Sequence, residues 1–488
     1  MADKDNASAT MITDLPPELM VRIASYLTTA ELGPLRRSCK QIEANLFDNF
    51  ASEFFTKRQF MVEHNSLEAL VGIANHPGLA ARLTEVLIGT QVLDGSRLTA
   101  KEDFLEGRLK REMLLSSGKA HEMLSEAFSK LPNLRIVGLR DYNGAGRIRD
   151  GHGARWRSWG WSAASHSYES SPDALFPLLI SALRTADVRP ENIEVILRKS
   201  QLSTDSLSVA NEQTIASRQP PLSTLRVLFL AVSQPRDVAH QWGAPWDTYD
   251  NTDTTDAPFR RFLHAVPALE HLRLNFSPEQ FLAHRMLDWL SMPKSSATST
   301  ASQLPVPPVH MPHLSTLDLG MANVSAQTLV KVLMKFDLKA FSLWKITMQA
   351  QDNSTDCWSR FLDALSTRLP ATTSLRKIKI GNVSQHRFEK NGNMWGPMTP
   401  VSFVAEGTDP EKKAEAQKLQ SAEFKAQYTG KKVHEWLKEL SELTFVPGVH
   451  TVTEPESDSE AEEEDEAASD FDEGQEDEDA DEDEDEDN

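Results

Sequence analysis

Residues 12–55 read ITDLPPELMVRIASYLTTAELGPLRRSCKQIEANLFDNFASEFF, and this stretch combines several short apolar helices in little sequence. Pro17 suits the first turn of a helix, where its missing N–H has no partner to lose. An apolar residue then recurs every fourth position, at Leu19, Ile23 and Leu27, which predicts one helical stripe. A segment this short buries little of its own apolar surface. We therefore expect its apolar faces to require an outside surface.

The remainder of the stretch predicts further helices. Thr28 and Glu31 have the spacing of a capping box, which indicates a new helix start. Gly33-Pro34 predicts the end of that helix. Later apolar residues mark a third stripe at Leu35, Cys39, Ile42 and Leu46 and a fourth at Phe47, Phe50 and Phe54.

This N-terminal stretch resembles an F-box. The matching residues include Tyr26 and those assigned to adaptor binding, which are Leu15, Pro16, Pro17, Glu18, Leu19, Ile23, Leu27, Leu32, Leu35, Cys39 and Lys40. The family often has Trp two residues after the Cys-basic pair, and Ile42 stands there in this chain. The resemblance implies docking on a Skp-type adaptor and, through it, on the cullin of a ubiquitin ligase. The alternative is an ordinary helical cap on a solenoid.

Composition indicates an intracellular protein of two or three domains or one long repeat array. The chain has 488 residues, and its two cysteines, Cys39 and Cys357, are too few for a disulfide framework or a zinc cluster. No signal peptide or 20-residue apolar run is visible. Residues 454–488 hold 23 of the 72 acidic residues and no Lys or Arg, so 49 acidic residues face 51 basic ones elsewhere. We expect a cytoplasmic or nuclear location.

After the N-terminal stretch, helices alternate with short strands of the pattern L-x-x-[LVIF]-x-[LI]. Seven copies begin at Leu83, Leu134, Leu225, Leu269, Leu314, Leu338 and Leu375, with a weaker copy at Ile193 and Ile196. Helical phrases begin at Ser66, Pro172, Ala326 and Trp358. Because each strand is reached through a helix, the pattern predicts a parallel sheet.

The array resembles divergent leucine-rich repeats, as in fungal F-box proteins. The predicted fold class is α/β: an all-helical F-box, then an irregular leucine-rich-repeat-like solenoid with a parallel sheet, then a disordered acidic tail. The alternative for the array is an unrelated α/β domain with Leu-rich strands. The predicted boundaries are a disordered 1–11, an F-box at 12–56, a recognition domain at 60–400, a C-terminal helix within 410–446 and the tail at 450–488.

Insertions and the C-terminal segment supply the candidate target-binding elements. Loops at 141–171 and 240–257 contain Trp156, Trp159, Trp161, Trp242 and Trp246, which either contact a target or fold back on the array. Residues 292–312 have linker composition. Val433, Trp436, Leu437, Leu440 and Leu443 predict an amphipathic helix that caps the array or binds a partner.

The acidic tail has three candidate phosphorylation sites, Ser457, Ser459 and Ser469, each with an acidic residue three positions later. Its charges repel one another, so we expect disorder. The tail either solubilises the chain or attracts basic proteins such as histones.

No catalytic or metal-binding constellation is apparent in the sequence. Gly144-Ala145-Gly146 begins like a dinucleotide loop, but Arg149 replaces the third glycine. The resemblance to F-box proteins implies a non-catalytic substrate receptor without a cofactor, and we expect it to bind a Skp-type adaptor and a protein target but no membrane and no nucleic acid directly. The alternative is a scaffold or chaperone for basic proteins that uses the acidic tail.

Overall fold

The computed structural model describes residues 12–90, 101–142, 144–145, 147–151, 155–156, 172–210, 222–234, 256–277, 282–293, 306–349, 356–388, 395–404, 419 and 421–446. All of these belong to one compact unit, Met1–Pro447. The predicted disordered segment 1–11 and the acidic tail lie outside the described residues.

The chain alternates helices with short strands. The helices are α1 Pro17–Ser25, α2 Thr29–Ser38, α3 Lys40–Phe55, α4 His64–Asn75, α5 Pro77–Ala80, α6 Lys101–Ser116, α7 Lys119–Ser129, α8 Pro172–Thr185, α9 Ala257–His264, α10 Leu282–Ser291, α11 Ala326–Lys335, α12 Cys357–Arg368 and α13 Val433–Leu443. The strands are β1 Lys57–Met61, β2 Glu85–Gly89, β3 Ile136–Arg140, β4 Gly144–Ala145, β5 Arg155–Trp156, β6 Asn192–Ile196, β7 Leu202–Ser203, β8 Val227–Ser233, β9 His271–Phe276, β10 Thr316–Gly320, β11 Asn323–Val324, β12 Ala340–Trp344, β13 Thr347–Gln349, β14 Lys377–Gly381, β15 Ser384–Phe388, β16 Trp395–Pro400, β17 Ser421–Ala422 and β18 Lys425–Thr429.

The N-terminal segment is all helical, as its capping signals predict. The side chain of Thr28 accepts a hydrogen bond from the Glu31 amide, and the Glu31 carboxylate accepts one from the Thr28 amide, which completes the capping box. The predicted helix end at Gly33-Pro34 is wrong, because α2 continues through Pro34 to Ser38. An interior proline removes one backbone hydrogen bond, and here the helix tolerates that loss.

One large sheet runs through the rest of the unit. Its order is β1-β2-β3-β6-β8-β9-β10-β12-β14-β18-β17, and β7 also pairs with β8. From β1 to β14 every neighbouring pair is parallel, whereas β18 pairs antiparallel with β14 and with β17. The predicted helix–strand alternation is therefore confirmed, because neighbouring parallel strands are joined by helical crossovers.

The strand register corrects the weak copy of the repeat pattern. Ile193 pairs with Val137, the second position of the preceding copy, and Val195 pairs with Leu139, the third. Pro190, which is buried, therefore occupies the first position that the sequence pattern assigned to Ile193. Ile196 faces the opposite side of the sheet because side chains alternate along a strand.

The last repeats share one backbone feature that the Leu pattern does not reveal. Met321, Lys345 and Asn382 each follow a main-sheet strand and have positive φ values of 52°, 52° and 48°. The chain then enters a second sheet of order β11-β13-β15-β16. One left-handed residue thus turns each of these three repeats from the first sheet to the second.

The C-terminal segment contributes strands as well as the predicted helix. β17 and β18 extend the sheet beyond residue 400, where the prediction placed a helix alone. The predicted apolar stripe of α13 is buried, and Trp436 donates from its indole nitrogen to the Leu419 carbonyl at 3.0 Å. Ser359 of α12 donates to the Ser441 carbonyl at 2.7 Å. The helix therefore covers α12 at this end of the sheet.

Candidate functional site

The first helix exposes an apolar stripe. Leu19 and Ile23 of α1 are 48% and 42% exposed, and Tyr26, which caps the C-terminal end of α1 at the same helical spacing, is 78% exposed. Ile12, in the 3-10 helix Ile12–Asp14 that precedes α1, is 41% exposed. Exposed apolar side chains at neighbouring positions are typical of interaction surfaces, because their contact with water costs free energy. We name Leu19, Ile23 and Tyr26 the α1 stripe.

The opposite side of the helical segment forms its own core. Met20 and Ala24 of α1 are at most 1% exposed, and Leu32 and Ile42 are 3% exposed. Leu32 was predicted as an adaptor contact, but its burial gives it a packing role, since its side chain offers no surface to a partner in this conformation. Burial of one face of α1 leaves the other face, with the stripe, directed outward.

The other predicted adaptor contacts divide into two groups. Those that are half-buried are Leu15, Leu27, Leu35 and Cys39, and those that are exposed are Pro16, Pro17, Glu18 and Lys40. The Cys39 sulfur accepts a weak hydrogen bond from the Ile42 amide at 3.5 Å and caps α3. The role of each in adaptor binding stays a prediction.

Helix α3 joins the helical segment to the sheet. Its last residues, Phe54 and Phe55, are buried in the same apolar core as Phe60 of β1. The Thr56 carbonyl accepts backbone hydrogen bonds at 3.0 Å from Thr84 and Glu85, at the start of β2. These contacts fix the orientation of α3 relative to β1 and β2, because α3 and β1 share one apolar core.

A segment from the predicted 141–171 insertion forms a second attachment, which we name the latch (Arg147–Gly151). The Arg149 guanidinium donates to the carbonyls of Ala24 and Leu27, at 3.0 and 2.8 Å, and forms an ion pair with Glu53 of α3. Its side chain is 7% exposed. One arginine thus joins the C-terminal end of α1 to the last turns of α3, and its charge matches the negative end of the α1 dipole.

Asp150 completes the latch at the start of α2. Its carboxylate accepts from the Thr29 amide at 2.8 Å and from the Thr29 hydroxyl at 2.7 Å. Burial alone would raise the pKa of Asp150, but the two Thr29 hydrogen bonds and the positive charges of Arg147 and Arg149 outweigh it, so the net pKa is lowered. A carboxylate at this position also stabilises the positive end of the α2 dipole.

Two more arginines lie against the aromatic residues that end α3. The Arg147 guanidinium carbon is 4.1 Å from the centre of the Phe54 ring, and that of Arg58 is 5.3 Å from the Phe55 ring. Burial, and secondarily the charge of Arg147, lower the pKa of Arg58 to about 10. The latch therefore covers the aromatic end of α3 as well as the α1–α2 turn.

The sequence pattern that suggested a dinucleotide loop begins in β4 and ends in the latch. Gly144 and Ala145 lie in β4, which pairs antiparallel with β5, and the latch lies between these two strands. Arg149 contacts the helical segment, so the absence of the third glycine has a structural reason. Ile148, beside Arg149 in the latch, is 99% exposed.

The predicted target-binding tryptophans fall largely outside the described residues. Only the backbone of Trp156 is described, in β5, and Trp159, Trp161, Trp242 and Trp246 lie outside, as do Ser457, Ser459 and Ser469. Among the residues that the structure describes, no group of His, Cys, Asp and Glu is arranged to hold a metal ion. None of the described helices has the length and apolar character needed to span a bilayer.

Comparison with known proteins identifies the helical segment. Residues 12–51 match the family model of the F-box-like domain, and the chain therefore contains an F-box-like domain. No curated protein matches the sequence significantly. Among solved structures, a chain of the crystal structure of the yeast Rad7 and Elc1 complex is 12% identical, with 72% of this chain and 84% of that chain covered and a TM-score of 0.25.

Proposed function

We propose that this protein is a substrate-recognition subunit of an SCF-type cullin-RING ubiquitin ligase. In this role the F-box-like domain binds a Skp-type adaptor, and the α/β part presents a protein target. The chain itself is non-catalytic, because in ligases of this type the covalent chemistry belongs to other subunits. We place the protein in the cytoplasm, the nucleus or both.

The observation that supports this proposal best is the exposed α1 stripe. The helical segment buries Met20 and Ala24 but leaves Leu19, Ile23 and Tyr26 in water, although apolar burial is the main driving force of both folding and association. A partner that covers the stripe would gain about 1.5–3 kcal/mol from each fully buried large apolar side chain. The stripe lies within the matched F-box-like residues, so we assign the adaptor to it.

The attachment of the F-box-like domain to the sheet supports the second half of the proposal. A receptor must hold its target at a defined position relative to the adaptor. The Phe54 and Phe55 packing attaches the C-terminal end of α3 to the α/β unit, and the Arg149 contacts also attach the C-terminal end of α1. Two separate attachments restrict rotation more than one does, so the sheet is suited to present a target in a fixed direction.

The test is to replace Leu19 and Ile23 by Asp and to measure adaptor affinity by isothermal titration calorimetry. Because both side chains are exposed, the change leaves the fold intact, and loss of two apolar anchors lowers affinity by more than 100-fold. The matched control places the same change at Leu109 and Met113 of α6, which are also four residues apart and are 62% and 68% exposed. Equal adaptor affinity in the two variants would contradict the proposal.

A scaffold role for basic proteins rests on the composition of residues 454–488 alone. It requires binding to histones that weakens with added salt and disappears when residues 454–488 are deleted. Adaptor binding is independent of that deletion, so the two functions can be measured separately.

A further inference from the structure

The charge of the outer face of the sheet changes from one end of the sheet to the other. The outer face is the side opposite the helix-covered core. Side chains alternate between the two faces of a strand, and the register aligns equivalent positions across neighbouring strands. On β12 the outer positions are Ala340, Ser342 and Trp344, on β14 they are Lys377, Lys379 and Gly381, and on β18 they are Lys425, Gln427 and Thr429. None of these nine residues is acidic.

In the middle of the sheet, by contrast, outer charges neutralise one another. Asp318 of β10 accepts from His271 at 2.8 Å and from Arg273 at 3.4 Å. The Arg273 guanidinium and the His271 ring also lie against Phe229, with the guanidinium carbon 4.3 Å from the ring centre. These side chains bind one another by hydrogen bonds and ring contacts, so we infer that they stabilise the packing of neighbouring strands.

The residues that immediately precede the strands, which are hydrogen bonded to one another across the sheet, show the same change from paired charges to positive charge. Arg135 pairs with Glu191 and Arg226 pairs with Glu270, each at 2.8 Å. The next positions along the register are Ser315, Lys339 and Arg376. Positive charge therefore accumulates toward the β14 end, where the alternating acidic residues stop.

A flat aromatic surface lies within this positive region. The Trp344 ring extends over Gly381 of the neighbouring strand, where a Cβ atom would overlap the ring. The Lys425 ammonium is 5.5 Å from the Trp344 ring centre. Lys377, Lys379 and Lys425 are all exposed, and Trp344 is half-buried. Glycine at 381 thus allows an aromatic ring to lie flat among exposed ammonium groups.

We propose that Trp344, Lys377, Lys379 and Lys425, which we name the basic platform, bind an acidic peptide segment of the target. This inference rests on the proposed receptor function and names the class of target that the receptor takes. Carboxylates of an extended peptide pair with the lysines, and an apolar side chain packs on the Trp344 ring. Ammonium groups act as point charges and therefore suit carboxylates spread along an extended chain.

The charge of the basic platform favours a peptide over a nucleic acid. Binding to a nucleic acid depends on many phosphate contacts, about 6–10 for a protein whose affinity falls steeply with salt, and the basic platform offers only its three lysines. Its acidic neighbour Glu423, exposed in the turn before β18, further limits the run of positive charge available to a phosphate backbone. A short acidic segment needs fewer contacts and can avoid this residue.

The test uses the full chain and a fluorescein-labelled decapeptide of alternating Glu and Leu, with binding followed by fluorescence anisotropy. Replacement of Lys379 and Lys425 by Glu should lower the affinity at least tenfold, and added salt should weaken wild-type binding. Lys331→Glu, at an exposed position on α11, is the matched control and should change affinity less than twofold. Trp344→Ala should also lower the affinity, through loss of apolar contact.

The outcomes separate this inference from the receptor function itself. Unchanged peptide affinity in the Lys379→Glu, Lys425→Glu variant, or tighter binding of a single-stranded decanucleotide than of the peptide, would overturn it. The variant should retain wild-type adaptor affinity, and the Leu19→Asp, Ile23→Asp variant should retain peptide affinity. Peptide binding without adaptor binding in the wild type would therefore leave the basic platform in place and remove the ligase role.

Discussion

Replacement of Arg149 by Ala should release the latch from the F-box-like domain while the sheet stays folded. The change removes the donors to the Ala24 and Leu27 carbonyls and the ion-pair partner of Glu53, which then keeps only the weaker charge interaction with Arg147. Asp150 keeps its own contacts with Thr29, so the latch loses its main attachment and retains a weaker one.

The magnitude follows from the burial of the ion pair. Removing one partner of a buried ion pair costs about 3–5 kcal/mol, because the remaining charge stays desolvated. The Arg149 side chain is 7% exposed but that of Glu53 is 27% exposed, so water can partly solvate the carboxylate that is left behind. The low end of this energy range therefore applies. We expect about 3 kcal/mol, which corresponds to roughly a 100-fold increase in the population of the open latch.

Amide hydrogen exchange measures this opening directly, because the Thr29 amide donates to the latch. Exchange of the Thr29 amide should accelerate about 100-fold in Arg149→Ala. The acceleration should be smaller in Arg149→Lys, because lysine keeps the charge but lacks the planar guanidinium group that contacts both carbonyls and Glu53 at once. The matched control is Arg135→Ala, which removes another Arg–Glu pair, with Glu191, whose side chains are 64% and 42% exposed. Exposed pairs contribute at most about 1 kcal/mol.

A double-mutant cycle with Glu53→Gln separates the ion pair from the carbonyl contacts. We expect a coupling energy of about 2 kcal/mol between Arg149 and Glu53. An exchange rate of Thr29 that changes less than threefold in Arg149→Ala, with a coupling energy below about 0.5 kcal/mol by the same cycle, would refute the latch.

Three further changes test other features. Ile148→Ser should lower adaptor affinity about tenfold if this fully exposed side chain, beside the α1–α2 turn, extends the adaptor surface, and calorimetry measures it. Lys345→Gly should stabilise the protein by about 0.5–1 kcal/mol in urea unfolding, because the φ of 52° at Lys345 is strained for a residue with a Cβ. The control Lys331→Gly, within α11, should destabilise the protein by a similar amount. Burial lowers the pKa of Lys335 to about 8, below its unfolded value near 10.5, so the unfolded state binds more protons between these pH values. The difference in unfolding free energy between wild type and Lys335→Gln should therefore rise as pH increases from 8 to 10.5. The rise should be smaller than the limiting value of about 1.4 kcal/mol per pH unit, because the ammonium group is partly solvated.

Local signals in the sequence predicted the elements of this fold well. The capping box of Thr28 and Glu31 and the Leu pattern of the strands depend on residues close together in the chain, and the structure confirms both. The Gly33-Pro34 signal failed because it describes the backbone preference of two residues. Packing of Leu32 into the core outweighs that preference, and α2 continues to Ser38.

Features that depend on long-range contacts could not be predicted in the same way. Arg149 meets Ala24 and Leu27 across more than 120 residues of sequence, and no periodicity encodes that contact. The weak copy was placed three residues too far along the chain, with Ile193 as its first position, because Pro190 replaces the expected Leu, and only pairing with β3 reveals the shift. The antiparallel β18 was missed because its alternation is mostly polar and brief.

The latch and the basic platform together suggest how geometry would be transmitted through a receptor of this kind. The α1 stripe lies at the β1 end of the main sheet, and the basic platform lies at the β14–β18 end. Every strand between them is hydrogen bonded to its neighbours, and one apolar core includes residues from α1 to α13. In the proposed receptor, a continuous packed structure would therefore hold a target at one end relative to an adaptor at the other, unless the F-box-like domain rotates at its attachment. Arg149 opposes that rotation, so its loss should reduce target modification while leaving the affinity of the basic platform for its peptide unchanged.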